Sequence, residues 1–220
     1  MKGDRIIIEA HHESAAAGIV DELPRLRSPG TDRRVITIAG ESGSGKSETA
    51  AALAARLADS GVAACIFQQD DYFKLPPRRN DRARRDDIGW VGPGEVRLDL
   101  LDEHLAAFRA GSGAIAKPLV DYASDSIGEE LMDVSACQVA IAEGTYTSLL
   151  EQADWRVFIA RTHRDTRAHR EKRRRDAAEL DPFIDRVLAI EHEIISSHRE
   201  RADLVIGTDY SVSRPGRADA

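Results

Sequence analysis

The sequence has few cysteines, no long apolar run and no surplus of positive charge. Cys65 and Cys137 are the only cysteines in 220 residues. They stand in separate apolar runs without metal-ligand spacing, which argues against a disulfide framework or a thiolate metal cluster and for a reduced, cytoplasmic protein. No run approaches the roughly 18 apolar residues of a membrane span, and the N-terminus lacks the apolar stretch of a secretory signal. The formal net charge of −7 is the opposite of the basic footprint expected of a general nucleic-acid binder. Internal repeats, long low-complexity linkers and the guanine-reading Asn-Lys-x-Asp pattern are also absent. The length fits most simply one domain with a substantial core.

What is present begins with Gly40-Glu41-Ser42-Gly43-Ser44-Gly45-Lys46-Ser47, which meets the phosphate-loop pattern G-x-x-x-x-G-K-[ST] at every specified position. Its context agrees. Arg34 to Ala39 is β-branched and apolar, as in a buried strand, and Ser47 to Ala58 is rich in alanine and leucine, as in a packed helix. Glycines let the backbone wrap closely round phosphate oxygens. The loop N–H groups and the helix N-terminus, with Glu48 in its first turn, then form a concavity for an anion. Lys46 is placed to reach the β- and γ-phosphates and the Ser47 hydroxyl to ligate Mg²⁺.

Further along, the pattern alternates. Arg5 to Glu9 suggests a short strand, and His11 to Leu23 an amphipathic helix on which His11 and His12 read as polar surface. Val62–Phe67, Val139–Ala142, Trp155–Ala160 and Leu204–Gly207 read as buried strands. Leu98–Phe108, Thr162–Ala178 and Pro182–His198 read as helices, and Ala114–Tyr122 as an extended or hairpin segment. Pro76 to Asp87 is too polar for core. Strands alternating with helices predict a parallel α/β sheet.

In such sheets a ligand binds beyond the carboxyl ends of the strands. Three polar signals fall there: the phosphate loop, Asp70-Asp71 and Glu143. Phosphoryl transfer needs a carboxylate to accept a hydroxyl proton and oxygen ligands for Mg²⁺. Asp70 and Asp71 are candidates for the first task and either could touch the metal; Glu143 suits the second. The helix after Trp155–Ala160 carries Arg161, Arg164, Arg167, Arg170, Lys172, Arg173, Arg174 and Arg175. Arginine clamps phosphate through its planar fork, so this helix reads as a lid with Arg170 and Arg174 on one face and Arg173 beside them. Arg78, Arg79, Arg84 and Arg85 would suit an anionic acceptor, or a solvated loop.

Together these marks resemble the uridine kinase and phosphoribulokinase group of P-loop kinases, from about Val35 to Ile206. They are the Gly40–Ser47 loop, Gln69-Asp70-Asp71-Tyr72-Phe73, Pro118-Leu119-Val120-Asp121-Tyr122, Glu143-Gly144 and Asp165-Thr166-Arg167. The resemblance implies a P-loop fold with a five-stranded parallel sheet and a lid. It also implies Asp70 as general base and Mg²⁺ neighbour, with Ser47 and Glu143 as the other Mg²⁺-side groups. Asp71, Tyr72, Asp121, Tyr122 and Arg167 are the candidate acceptor-side residues. Trp90-Val91-Gly92-Pro93 replaces the acidic residue and His-Pro with which uridine kinases grip ribose, and Val120 and Asp125 stand where they place base-reading residues. These departures weaken uridine as the substrate.

The expected organisation is an N-terminal extension (1–33), a kinase domain (34–210, lid about 162–180) and a tail (211–220). The expected activity is transfer from ATP, with Mg²⁺, to a small-molecule acceptor: nucleoside, sugar, sugar phosphate or other alcohol. Neither nucleic acid nor membrane is an expected partner, and a homo-oligomer is left open. A regulatory NTPase without an acceptor is the alternative.

Overall fold

The computed structural model describes residues 6–26, 32–162, 165 and 181–216. In chain order its elements are α1 (Ala10–Glu22), β1 (Arg34–Gly40), α2 (Lys46–Ala58), β2 (Ala64–Gln68), α3 (Pro77–Asp86), α4 (Leu98–Arg109), β3 (Ala114–Asp121), β4 (Ser126–Asp133), β5 (Val139–Gly144), β6 (Trp155–Ile159), α5 (Pro182–Ile195), β7 (Leu204–Ile206) and β8 (Val212–Ser213). The sheet order is β2-β5-β1-β6-β7-β8. Its first five strands are parallel, as the alternation of elements predicts, and the two-residue β8 adds an antiparallel edge. Strands β3 and β4 form a separate hairpin.

Helices cover both faces of the sheet, so its central strands are apolar on both sides: every residue of β5 is buried. Ile36 and Ile38 of β1 and Ile141 of β5 pack with Leu53 and Leu57 of α2 and with Ala15 and Ile19 of α1. Val35, Ala140 and Ala142 face the other way, against Leu101, Leu105 and Phe108 of α4, Ile115 of β3 and Ile195 of α5. The segment ahead of β1 therefore contributes α1 to the same core.

Two local readings are corrected. Residues 6–9 form no strand; Ile6, Ile7 and Ile8 are exposed, and among the described residues no strand pairs with this β-branched run. Pro76 to Asp87 is mostly the helix α3, opened by Pro77 in the first turn, where its missing N–H costs nothing. None of the described helices is long and apolar enough to cross a membrane.

Candidate active site

The site is built where β1, β5 and β2 end side by side. Register pairs Ile38 with Glu143 and Gln68 with Glu143, so the three strand ends lie level. Beyond β1 the chain turns through the phosphate loop, with Gly43 and Gly45 at φ 76° and 95°, a region costly for residues with a Cβ. Gly45 has a second constraint: a Cβ there would lie 3.0 Å from His12 Nε2 and 3.4 Å from the Tyr210 hydroxyl. The loop thus rests against α1 and the segment before β8.

Lys46 opens α2, and its ammonium donates to the Glu41 carbonyl at 2.9 Å, back across its own loop. The Ser47 hydroxyl donates to Glu143 Oε1 at 2.9 Å. Glu48 is buried in the first turn of α2. Burial raises the Glu143 carboxyl from the ordinary 4.5 to about 7; the Asp70 charge adds to the rise, while Lys46 and the Ser47 hydrogen bond oppose it. A buried carboxylate with a second carboxylate acting on it and a hydroxyl bound to it is a set of hard oxygen donors. A divalent cation would relieve their repulsion, so the residues fit Mg²⁺. The loop, the helix N-terminus and Lys46 likewise fit a nucleotide's phosphates.

After β2 the chain enters a 3-10 turn, Gln69–Tyr72. With three residues per turn, successive side chains point about 120° apart. Asp70 is exposed on the cleft side, while Asp71 and Tyr72 point inward. This corrects the expectation that those two meet the acceptor. Asp71 is ion-paired with Lys117 at 2.7 Å and accepts the Val120 N–H at 3.0 Å, and Tyr72 bonds His104 Nδ1 at 2.9 Å. Asp121 differs as well, because its carboxylate accepts the N–H groups of Ala123 and Ser124 in the hairpin turn. Tyr122 does line the cleft with Asp70. Arg167, Arg170, Arg173 and Arg174 lie outside the described residues. Arg161, at the end of β6, bonds the Tyr210 hydroxyl and lies over its ring.

Helix α5 supplies site residues that no local motif announces. His192 Nδ1 meets the Glu41 carboxylate at 2.6 Å, tying α5 to the phosphate loop. Glu191 is buried 3.6 Å from Arg84, and burial lifts its carboxyl to about 7 against the pull of Arg84. One signal exists for Glu191. It falls on the stripe Ile184, Val187, Leu188 and Ile195, and a charge on an apolar stripe asks for a buried partner. Arg84 and Arg85, read as possible anion ligands, are engaged by carboxylates: Arg84 by Glu95, Arg85 by Asp81 and Asp181. His12 is buried rather than surface-exposed. Its Nδ1 accepts the Glu9 N–H, so its Nε2 carries the proton and offers no lone pair to a metal beside His11 and Glu9.

Residues 35–188 match the sequence profile of the phosphoribulokinase/uridine kinase family. The chain is 34% identical over 193 residues to a bifunctional alpha-galactosidase/sucrose kinase of Mediterraneibacter gnavus, covering 82% of this chain but only 21% of that enzyme's length. It is 30% identical over 188 residues to the uridine kinase of Bacillus cereus (strain B4264), covering 78% of this chain and 84% of the relative. The fold is similar to that of D-glycerate 3-kinase from Cryptococcus neoformans, with a TM-score of 0.62 and 14% identity over 94% of this chain and 99% of the other.

Proposed function

The chain belongs to the phosphoribulokinase/uridine kinase family, and from that premise we propose that it is a Mg²⁺-dependent kinase moving the γ-phosphoryl group of ATP to a hydroxyl of a small metabolite. The observation that carries this reading is the meeting of Ser47, Glu143 and Asp70 at three adjacent strand ends, beside the phosphate loop. The names of the relatives, sucrose kinase and uridine kinase, both denote transfer to a hydroxyl.

Lys46 and the loop N–H groups hold the β- and γ-phosphates and orient them for in-line transfer. Ser47 and Glu143, with Asp70 beside them, would hold Mg²⁺, which would neutralise phosphate charge. Asp70, exposed on the cleft side, accepts the proton that the acceptor hydroxyl loses as its oxygen bonds to phosphorus. Arg167, Arg170, Arg173 and Arg174, for which a cationic lid role is expected, lie outside the described residues.

Asp70→Asn tests the assignment. It is expected to lower acceptor-dependent ADP release at least about a hundredfold, the usual worth of a general base, while the thermal shift on adding ATP persists. Normal turnover in this variant would remove Asp70 from the role. ADP release independent of every acceptor would favour a regulatory NTPase.

A further inference from the structure

Glu41 is the residue whose chemistry runs against the rest of the phosphate loop. The loop N–H groups and the first turn of α2 suit an anion, yet Glu41 brings a carboxylate into that loop and buries it, at 5% exposure. A negative charge there opposes the negative charge of the phosphates, and water screens a buried charge poorly. The same residue stands close to the loop's cation: its carbonyl accepts the Lys46 ammonium at 2.9 Å and the Ser44 N–H at 3.1 Å. Its carboxylate therefore has to be held somewhere that neither faces the phosphates nor competes with them for Lys46.

His192 meets this carboxylate from α5. Its Nδ1 lies 2.6 Å from Glu41 Oε1, and opposite a carboxylate oxygen that nitrogen carries the hydrogen and donates. Such a charge-assisted bond belongs to the stronger class of hydrogen bonds. Helix α5 is itself fixed on α3. At its start Asp181 accepts the Phe183 N–H at 2.9 Å and Arg85 Nη2 at 2.8 Å, and Arg85 lies over the Phe183 ring at 4.4 Å. Next to His192, Glu191 faces Arg84 at 3.6 Å and lies within electrostatic reach of Lys46 and Asp70. The imidazole is thus presented to the loop from a helix clamped at two points.

We propose that His192 is a positioning residue for nucleotide binding, whose N–H holds the Glu41 carboxylate away from the phosphates and from Lys46. The inference rests on the kinase reading above for the nucleotide in the loop, and adds to it a residue that lies outside the phosphate-loop pattern. Without the imidazole the carboxylate gains the freedom to turn toward the loop, where it repels phosphate oxygens and draws on the Lys46 charge. The penalty falls on phosphate binding and needs the charge of Glu41: an amide at position 41 carries no charge to repel.

The experiment titrates ATP with Mg²⁺ into the full chain by calorimetry, for wild type, His192→Ala, His192→Asn and the double variant His192→Ala/Glu41→Gln. In His192→Ala the Kd is expected to rise about tenfold or more, the size of one hydrogen bond to a charged group. The Tm without nucleotide should stay close to wild type, because the His192 side chain is 41% exposed. His192→Asn, whose amide N–H can donate from near the Nδ1 position, should recover most of the affinity, and so should the double variant; a purely structural role for the imidazole would not be relieved by Glu41→Gln. An unchanged Kd in His192→Ala overturns the inference, as does a loss that persists in the double variant. Binding is measured without an acceptor, so failure of every acceptor to stimulate ADP release removes the kinase reading and leaves this inference standing. A wild-type chain that binds no ATP overturns both.

Discussion

Replacing Lys117 by methionine tests how the hairpin holds the Asp70 turn in place. Lys117, on β3, is 4% exposed and Asp71 is 0% exposed, with their charges 2.7 Å apart. The nearest other carboxylate, Glu130 at 3.1 Å from Lys117, is 45% exposed and well solvated without the lysine. Methionine matches the length of the lysine stem but removes the charge, so Asp71 keeps the Val120 N–H and loses its counter-ion in the interior. Breaking one side of a buried pair costs about 3–5 kcal/mol, a large share of a folding stability of about 5–15 kcal/mol. Urea denaturation should therefore show a markedly lower midpoint with a similar slope. Adding Asp71→Asn removes the buried charge that has lost Lys117, while its amide oxygen can still take the Val120 N–H, and should recover most of the loss. A single-variant cost under about 1 kcal/mol, or a double variant no better than the single, would refute the reasoning.

Two further predictions concern protons and close packing. Glu143 and Glu191 are both raised from 4.5 to about 7 in the folded chain. Between those values the folded chain binds more protons than the unfolded one. Stability is thus full below about 4.5, falls as pH rises and loses up to roughly 3 kcal/mol per group above 7, at about 1.4 kcal/mol per pH unit. In metal-free buffer, Glu191→Gln should gain stability relative to wild type as pH goes from about 5 to 8; a gain that does not change with pH would contradict this. Gly144→Ala should lower both stability, by about 2 kcal/mol or more, and turnover. A Cβ there would lie 2.3 Å from Gln69 Cβ and push the Asp70 turn away from β5; normal denaturation and kinetics would show that the turn can yield.

Much of the nucleotide half of the site is legible in the sequence, because its signals are local. The phosphate loop is contiguous, β1 and α2 flank it in the required order, and Asp70 and Glu143 terminate apolar runs whose parallel pairing follows from the alternation of elements. The acceptor half is less legible. Whether Asp70 or Asp71 faces the cleft depends on the phase of a 3-10 turn, which residue types do not reveal. Strand β4 lies mostly exposed on a two-stranded hairpin, with Leu131 at 74% exposure, so it lacks the apolar face that marks a strand. Arg84 reads as a free cation because Glu95 and Glu191 come from two other elements, and only the fold brings them to it. His192 offers no signal at all in isolation; its partner, Glu41, is 151 positions away.

The family match ends at residue 188 and begins at residue 35, and these limits do not coincide with the body that can fold. Outside them lie α1, the last turns of α5, the fifth parallel strand β7 and the edge strand β8. Gly18 of α1 abuts Val212 of β8, Arg214 binds Glu22, and His12 and Tyr210 stand behind Gly45. Segments from opposite ends of the sequence therefore clasp each other at the rear of the phosphate loop, forming a backstop that the recognisable motif does not include. A protein trimmed to the matched residues would keep every signature of its family and lose the wall against which its phosphate loop is braced.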